Sequence, residues 1–324
     1  MPTSGSPRPH ELRLLVRRLS PPVLAVHGGA GAGHAASEVV ARGLTAALDA
    51  GWALLAGGGG ALDAAVAAVA SMEDSGVFNA GRGAVPTTAG TIETDAAVMG
   101  VLPGGREVSG GGCAMTWPAN PVLAARAVAL AGDALLLAGE GADRFAEDSG
   151  LARRDPGSLV HRPAPGPTAV PGPAAVPGPS SVPGPSSSSA GTVGAVALDA
   201  TGNLAAATST GGRSGQAPGR VGDSPIIGSG TWADQGRVAI SATGEGEAFV
   251  RAGFAHRVDF ALDAGTPLPE AVRAAFGAVA RWGGSGGAIL LGADGELVVA
   301  FDAPAMARGW RAVAEHEAGL ERLR

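Results

Sequence analysis

Residues 156–190 place ten prolines in 35 positions, and this run constrains the fold more than any other feature of the chain. It holds a six-residue repeat: Thr168-Ala-Val-Pro-Gly-Pro, Ala174-Ala-Val-Pro-Gly-Pro, Ser180-Ser-Val-Pro-Gly-Pro. Four serines follow, Ser186 to Ser189. Proline removes backbone donors, and glycine and serine add freedom, so no helix, sheet or core is expected here. The run reads as a linker. It stops abruptly at Ala190-Gly191-Thr192-Val193-Gly194, where an apolar strand begins at once. The fold must therefore be assembled from two segments joined by chain that cannot pack.

Composition narrows the class. The chain has 54 Gly and 24 Pro in 324 residues, yet 45% of it is hydrophobic, too much for a wholly disordered chain. Aromatics are scarce, with five Trp, seven Phe and no Tyr, so the core must be built from Ala, Val and Leu. The net charge is −6, which argues against binding nucleic acid through its phosphates. Cys113 alone excludes an internal disulfide framework and a Cys-based zinc site. The six scattered His contain no His-Glu-x-x-His, so a zinc enzyme is not expected. Arg13, Arg17 and Arg18 break up any leader-like apolar stretch, and no run of about 18 apolar residues is present, so no membrane association and a cytoplasmic location are expected.

Periodicity supplies the elements. Residues 1–21 read as a flexible extension, and Val23 to Val26 as a buried strand leading into His27-Gly28-Gly29-Ala30-Gly31. Helices are predicted over 37–56, where Val40, Leu44, Leu48 and Trp52 recur at every fourth position, and over 61–71. Gly57 to Gly60 between them could cradle phosphate, but they follow a helix and lack a terminal Gly-Lys, so they read as a turn. Asn120-Pro121 is a helix start with Asn as cap, and helices are expected to about 131 and over 133–147. In the second half, 193–199 and 203–209 form a hairpin, 237–242 a strand, 245–263 and 268–282 helices, and 288–291 with 296–301 a last hairpin around Asp294-Gly295. Antiparallel sheets covered by helices, an α+β fold, are expected.

Thr192 alone is an ordinary β-branched strand residue. Its company is informative: Thr208-Ser209-Thr210-Gly211-Gly212, then Gly219-Arg220-Val221-Gly222-Asp223-Ser224-Pro225, then Thr243-Gly244-Glu245-Gly246-Glu247. With Gly191-Thr192-Val193-Gly194, this ordered set resembles the isoaspartyl peptidase/L-asparaginase family, the plant-type asparaginases among the N-terminal nucleophile hydrolases. Val26-His27-Gly28-Gly29-Ala30-Gly31, Phe78-Asn79-Ala80-Gly81-Arg82-Gly83 and Glu93-Thr94-Asp95-Ala96 agree with it. The resemblance covers about 22–154 and 191–310.

The resemblance implies a four-layer αββα sandwich over 22–324 that cuts itself between Gly191 and Thr192. The products would be an α chain, 1–191, and a β chain, 192–324, assembling as a dimer of αβ pairs. It implies hydrolysis of L-asparagine and β-aspartyl dipeptides with Thr192 as nucleophile. A free Thr192 α-amine, with a reference pKa of about 7.7–8, can serve as the base, so no lysine is needed. By the same resemblance Thr210 tunes the Thr192 hydroxyl, and Thr243 with the Gly244 N–H forms the oxyanion hole. Arg220 clamps the substrate α-carboxylate, Asp223 binds its ammonium, Gly246 offers a carbonyl, and Asn79 lies near the nucleophile. His27 reads as structural. No organic cofactor is implied. The family holds a structural sodium ion on backbone carbonyls, which map onto Met72, Glu73, Ser75, Phe78, Ala80 and Arg82. Phe301-Asp302-Ala303 departs from the family's usual Phe-Asn-Thr, which bears on the pocket's outer wall. The alternatives are glycosylasparaginase, a threonine endopeptidase of the same fold, and an unprocessed relative that binds amino acids or partners.

Overall fold

The computed structural model describes residues 11–31, 37–161 and 191–322. Two sheets and seven α-helices form the described fold. The first half supplies β1 (Arg13–Arg18), β2 (Val23–Ala30), α1 (Ser37–Ala56), α2 (Ala61–Ser75), β3 (Thr94–Val101), β4 (Glu107–Met115), α3 (Pro121–Ala131), β5 (Leu136–Ala138) and α4 (Gly139–Asp148). The second supplies β6 (Val193–Leu198), β7 (Leu204–Thr210), β8 (Thr231–Asp234), β9 (Val238–Gly244), α5 (Gly246–Ala252), α6 (Phe254–Asp263), α7 (Leu268–Arg281), β10 (Gly286–Gly292), β11 (Glu296–Phe301), β12 (Ala305–Ala312) and β13 (His316–Arg322).

One sheet runs β1-β11-β10-β9-β8 and the other β13-β12-β2-β6-β7-β3-β4-β5. All pairings are antiparallel except β4 with β5. The period-two pleat sends alternate residues to opposite faces. Leu24, Val26, Ala195 and Ala197 pack with Leu44, Leu48, Ala65 and Val69 of α1 and α2. Val23, Ala25, Val196 and Leu198 instead meet Ile289, Leu291 and Val299 of the other sheet. On that sheet Ile240 and Leu290 pack under Phe249, Phe254 and Phe276 of α5 to α7.

The structure differs from the sequence expectation in several places. Arg13–Arg18 is no loose extension: it forms the edge strand β1 against β11. Strands β4, β5, β8, β12 and β13 were not predicted. In β4, three consecutive glycines (Gly110 to Gly112) hide strand character, and a Cβ on Gly110 would meet the backbone of Ala129 in α3. The helix expected over 133–147 is a short strand followed by α4. The segment 245–263 is two helices, parted at Gly253 with φ +57°. Helix α3 does start at Pro121, but Asn120 does not cap it. Glu73 accepts the Val122 N–H instead, while Asn120 bonds Asp74. Helix α1 is, by length and composition alone, long and apolar enough to cross a membrane, as a core helix can be. Its Val40, Leu44, Ala47 and Leu48 stripe is buried in the core. Residues 156–158 make one 3₁₀ turn, and the repeats of 162–190 lie outside the described residues.

Candidate active site

Thr192 stands one residue before β6, where the hairpin of β6 and β7 ends. The hairpin pairs Val193 with Ser209, which brings Thr210 beside Thr192. The Thr192 hydroxyl donates to Thr210 Oγ1 at 2.9 Å, and Thr210 Oγ1 also accepts the Gly212 N–H at 3.0 Å. Asn79 braces this turn. Its Nδ2 donates to Gly212 O at 2.6 Å, its carbonyl accepts the Gly211 N–H at 2.8 Å, and its Oδ1 accepts the Val85 N–H at 3.1 Å.

A cleft of about 240 Å³ opens over Thr192, walled by Asn79, Gly191, Gly212, Thr243, Gly244, Ser285, Ala303 and Pro304 among others. A Cβ built on Gly191 would lie 3.6 Å from Thr243 Oγ1, so that hydroxyl faces the Gly191-Thr192 peptide. Gly244 closes β9 two residues before α5, not within a helix. Gly29 has φ +101° and packs against Gly191, where any side chain would strike backbone. Ala303, the departure from the family pattern, is part of the wall.

Beneath Thr192 lies a buried polar chain. His27 Nε2 meets Ser241 Oγ at 2.9 Å, Ser241 meets Thr208 at 2.7 Å, and Thr231 bonds both Thr208 and Ser224 O. Burial drives the His27 pKa down to about 3, so it is neutral and structural. A Cβ on Gly194 would overlap His27 Nε2 and Ser241 Oγ, which explains a glycine two residues after Thr192.

Arg220, Asp223 and Gly246 form a second cluster, reached from the cleft through Gly244-Glu245-Gly246. A Cβ on Gly246 would lie 2.8 Å from Asp223 Oδ1 and 3.1 Å from Arg220 Nη2, so both charged groups border one small space. Asp223 is buried, and its Oδ2 has no hydrogen-bond partner. Burial pushes its pKa up to about 7, opposed by the Arg220 charge. Glu247, which sequence reasoning left without a role, takes the Nε and Nη2 edge of Arg220 at 3.0 and 2.9 Å. The Nη1 side of the guanidinium has only a 3.5 Å contact with Gln216. Asp95 is also buried, and desolvation lifts its pKa to about 6.

The residues proposed to hold sodium fall at the end of α2 and in the turn after it, since α2 runs to Ser75. The Met72, Phe78, Ala80 and Arg82 carbonyls each accept one hydrogen bond, from Ser75, Ala80, Gly83 and Val160. Each keeps a second lone pair. A Cβ on Gly83 would strike Phe78 O and lie 3.0 Å from Gly76 O, and one on Gly81 would lie 2.7 Å from Glu73 O. Neutral carbonyl oxygens of this kind are the donors that a hard cation takes.

Fold and site together define a mixed α+β protein of two mainly antiparallel sheets, with threonine hydroxyls placed at the start of β6 and the ends of β7 and β9. The asparaginase family model matches residues 20–320, and the chain belongs to that family. It is 40% identical over 298 residues to the isoaspartyl peptidase of Escherichia coli, covering 89% of this chain and 92% of that protein. It is 37% identical over 295 residues to the isoaspartyl peptidase/L-asparaginase of Mus musculus, covering 90% and 87%. The plant-type L-asparaginase of Pyrobaculum calidifontis is 39% identical over 302 residues, covering 92% and 99%.

Proposed function

We propose that the chain is a threonine-dependent amidohydrolase that releases ammonia from L-asparagine and cleaves β-aspartyl dipeptides after cutting itself between Gly191 and Thr192. The observation that carries this reading is the 2.9 Å bond from the Thr192 hydroxyl to Thr210 at a cleft that Thr243 and Gly244 also line. A threonine hydroxyl is a weak nucleophile without a base. Within the chain its own nitrogen is an amide; once the peptide is cut it becomes an amine with a reference pKa of about 7.7–8. That amine takes the hydroxyl proton as Oγ1 attacks the substrate β-carbonyl. The oxyanion is met by the Thr243 hydroxyl and the Gly244 N–H. The amine returns the proton to the departing ammonia or amino acid, leaving a β-aspartyl ester on Thr192. Water, deprotonated by the same amine, frees aspartate.

Arg220 and Asp223 orient the substrate through its α-carboxylate and α-ammonium, with the Gly246 carbonyl beside them. Asn79 holds the turn that carries Thr210. A sodium ion on the carbonyls around Met72, Glu73, Ser75, Phe78, Ala80 and Arg82 would stiffen the loop bearing Asn79. No organic cofactor takes part. The packing supports a four-layer αββα arrangement of chains 1–191 and 192–324, and we propose a dimer of such pairs. Cytoplasmic location is part of the proposal, with the lone buried Cys113 compatible with a reducing compartment.

The test is mature-enzyme kinetics on L-asparagine, a β-aspartyl dipeptide and a glycosylated asparagine. Turnover of the first two with little of the third is expected. Preference for the glycosylated substrate would reassign the enzyme as a glycosylasparaginase, and no turnover of any would favour a binding role.

A further inference from the structure

The Glu93-Thr94-Asp95 segment has no part in the chemistry above, yet it touches both halves of the site. Asp95 pairs across the strand ladder with Thr210, the partner of the Thr192 hydroxyl. Its side chain reaches the other way. Oδ2 accepts the Gly222 N–H at 3.4 Å, and Oδ1 accepts the Ala114 N–H at 2.8 Å. Two residues earlier, Glu93 Oε2 accepts the Gly219 N–H at 2.7 Å. Gly219 and Gly222 flank Arg220, so the two carboxylates grip the loop on either side of the substrate clamp.

The local backbone is shaped for this grip. The β3–β4 register shifts between Thr94 and Ala96, so Asp95 sits opposite a bulge in β4. Ala114 in that bulge has φ +48°, a left-handed conformation that a non-glycine residue adopts only when its surroundings hold it there. Bulges of this kind re-aim groups beside functional sites. Here the bulge turns the Ala114 N–H onto the Asp95 carboxylate. Glu247 orients the Arg220 guanidinium, while Asp95 and Glu93 fix where its backbone sits relative to β7.

We propose that Asp95, assisted by Glu93, is a positioning residue that sets the separation between the Thr192 hydroxyl and the Arg220 guanidinium, and so selects the substrate by side-chain length. This rests on the reading of Thr192 as nucleophile and Arg220 as carboxylate clamp. Asparagine and glutamine present the same α-carboxylate and α-ammonium. They differ by one methylene between those groups and the amide carbon, so an anchor at fixed distance separates them.

The experiment compares processed wild-type enzyme with Asp95→Asn and Glu93→Ala on three substrates: L-asparagine, L-glutamine and β-alaninamide. The last is asparagine without its carboxylate, so it makes no use of the clamp. In Asp95→Asn, one of the two backbone N–H groups faces an amide NH₂. The KM for L-asparagine is expected to rise about 10-fold with kcat within about threefold, as for loss of a charged hydrogen bond that positions substrate. The preference for asparagine over glutamine should shrink by at least about fivefold, while kcat/KM on β-alaninamide stays within about twofold. Glu93 lies outside the buried core and accepts a single bond from the loop, the Gly219 N–H, so Glu93→Ala should give the same pattern at about threefold in KM. If Asp95→Asn does not process, Glu93→Ala carries the comparison alone. An unchanged KM for L-asparagine, or equal losses on L-asparagine and β-alaninamide, overturns the proposal. Processing and asparagine turnover by the wild-type chain report separately on the underlying reading.

Discussion

Asp223 is buried with one oxygen unpaired, and its pKa rises from 3.8 to about 7 chiefly through desolvation. At about 1.4 kcal/mol per pH unit, keeping it ionised above pH 7 destabilises the folded chain by on the order of 4 kcal/mol. The sign follows from proton counting. Between about pH 4 and 7 the native state binds a proton that the unfolded state has lost. Stability contributed by the protonated form is therefore present at low pH, is lost as pH rises through that window, and stays lost above 7. Asp223→Asn removes the charge at similar volume. Its NH₂ inherits the unpaired position, so the net gain should be about 2 kcal/mol at pH 8, roughly half the full figure. For a chain of this size that is a rise of about 3 °C in Tm. At pH 5, where Asp223 is already protonated, the same substitution should change Tm by less than about 1 °C. Binding should move the opposite way. Loss of the carboxylate that meets the substrate ammonium should lower kcat/KM for L-asparagine about 10- to 100-fold. The assay is differential scanning calorimetry at both pH values in a Thr192→Ala background, which keeps one chain, paired with kinetics on the processed variant. A Tm change equal at pH 5 and 8, or an unaltered kcat/KM, would refute the account of Asp223.

Two further outcomes follow from the geometry. Thr243→Ala removes one oxyanion donor and should lower kcat about 10²- to 10³-fold with little change in KM, measured on L-asparagine. A kcat within about threefold of wild type would remove Thr243 from that role. Gly194→Ala drives a methyl group into the His27–Ser241 contact, so it should cost about 1–3 kcal/mol, read as a lower Tm, and slow processing at Gly191-Thr192. An unchanged Tm would mean that the buried polar chain tolerates being opened.

How much of this was legible in the sequence depends on the range of each interaction. The β6–β7 hairpin could be read because Val193–Leu198 and Leu204–Thr210 are apolar runs joined by a short turn. Helix α1 could be read from its periodic apolar stripe over Ser37–Ala56. Strand β1 could not: Arg13, Arg17 and Arg18 give an edge strand a polar pattern, and its partner β11 lies nearly 300 residues away. Strand β4 was hidden by Gly110 to Gly112, which carry no side chain to show alternation. The site divides the same way. Thr192, Arg220, Asp223 and Thr243 stood out by motif. The pairing of Glu247 with Arg220 joins a loop to a helix 27 residues on, and the Asp95–Gly222 contact spans 127. No local pattern announces either. The Asn120 cap misled because a distant Glu73 carboxylate satisfies the Val122 N–H instead.

The central claim is that Thr192 becomes a chain terminus and that its hydroxyl and amine then do the chemistry. Purified protein incubated at neutral pH and analysed by intact mass spectrometry and N-terminal sequencing tests this most directly. The account predicts two fragments, residues 1–191 and 192–324, the second beginning Thr-Val-Gly-Ala, with asparaginase activity appearing in step with them and Thr192→Ala remaining a single inactive chain. A wild-type chain that stays whole, or one that hydrolyses L-asparagine at full rate before any cleavage, would contradict it.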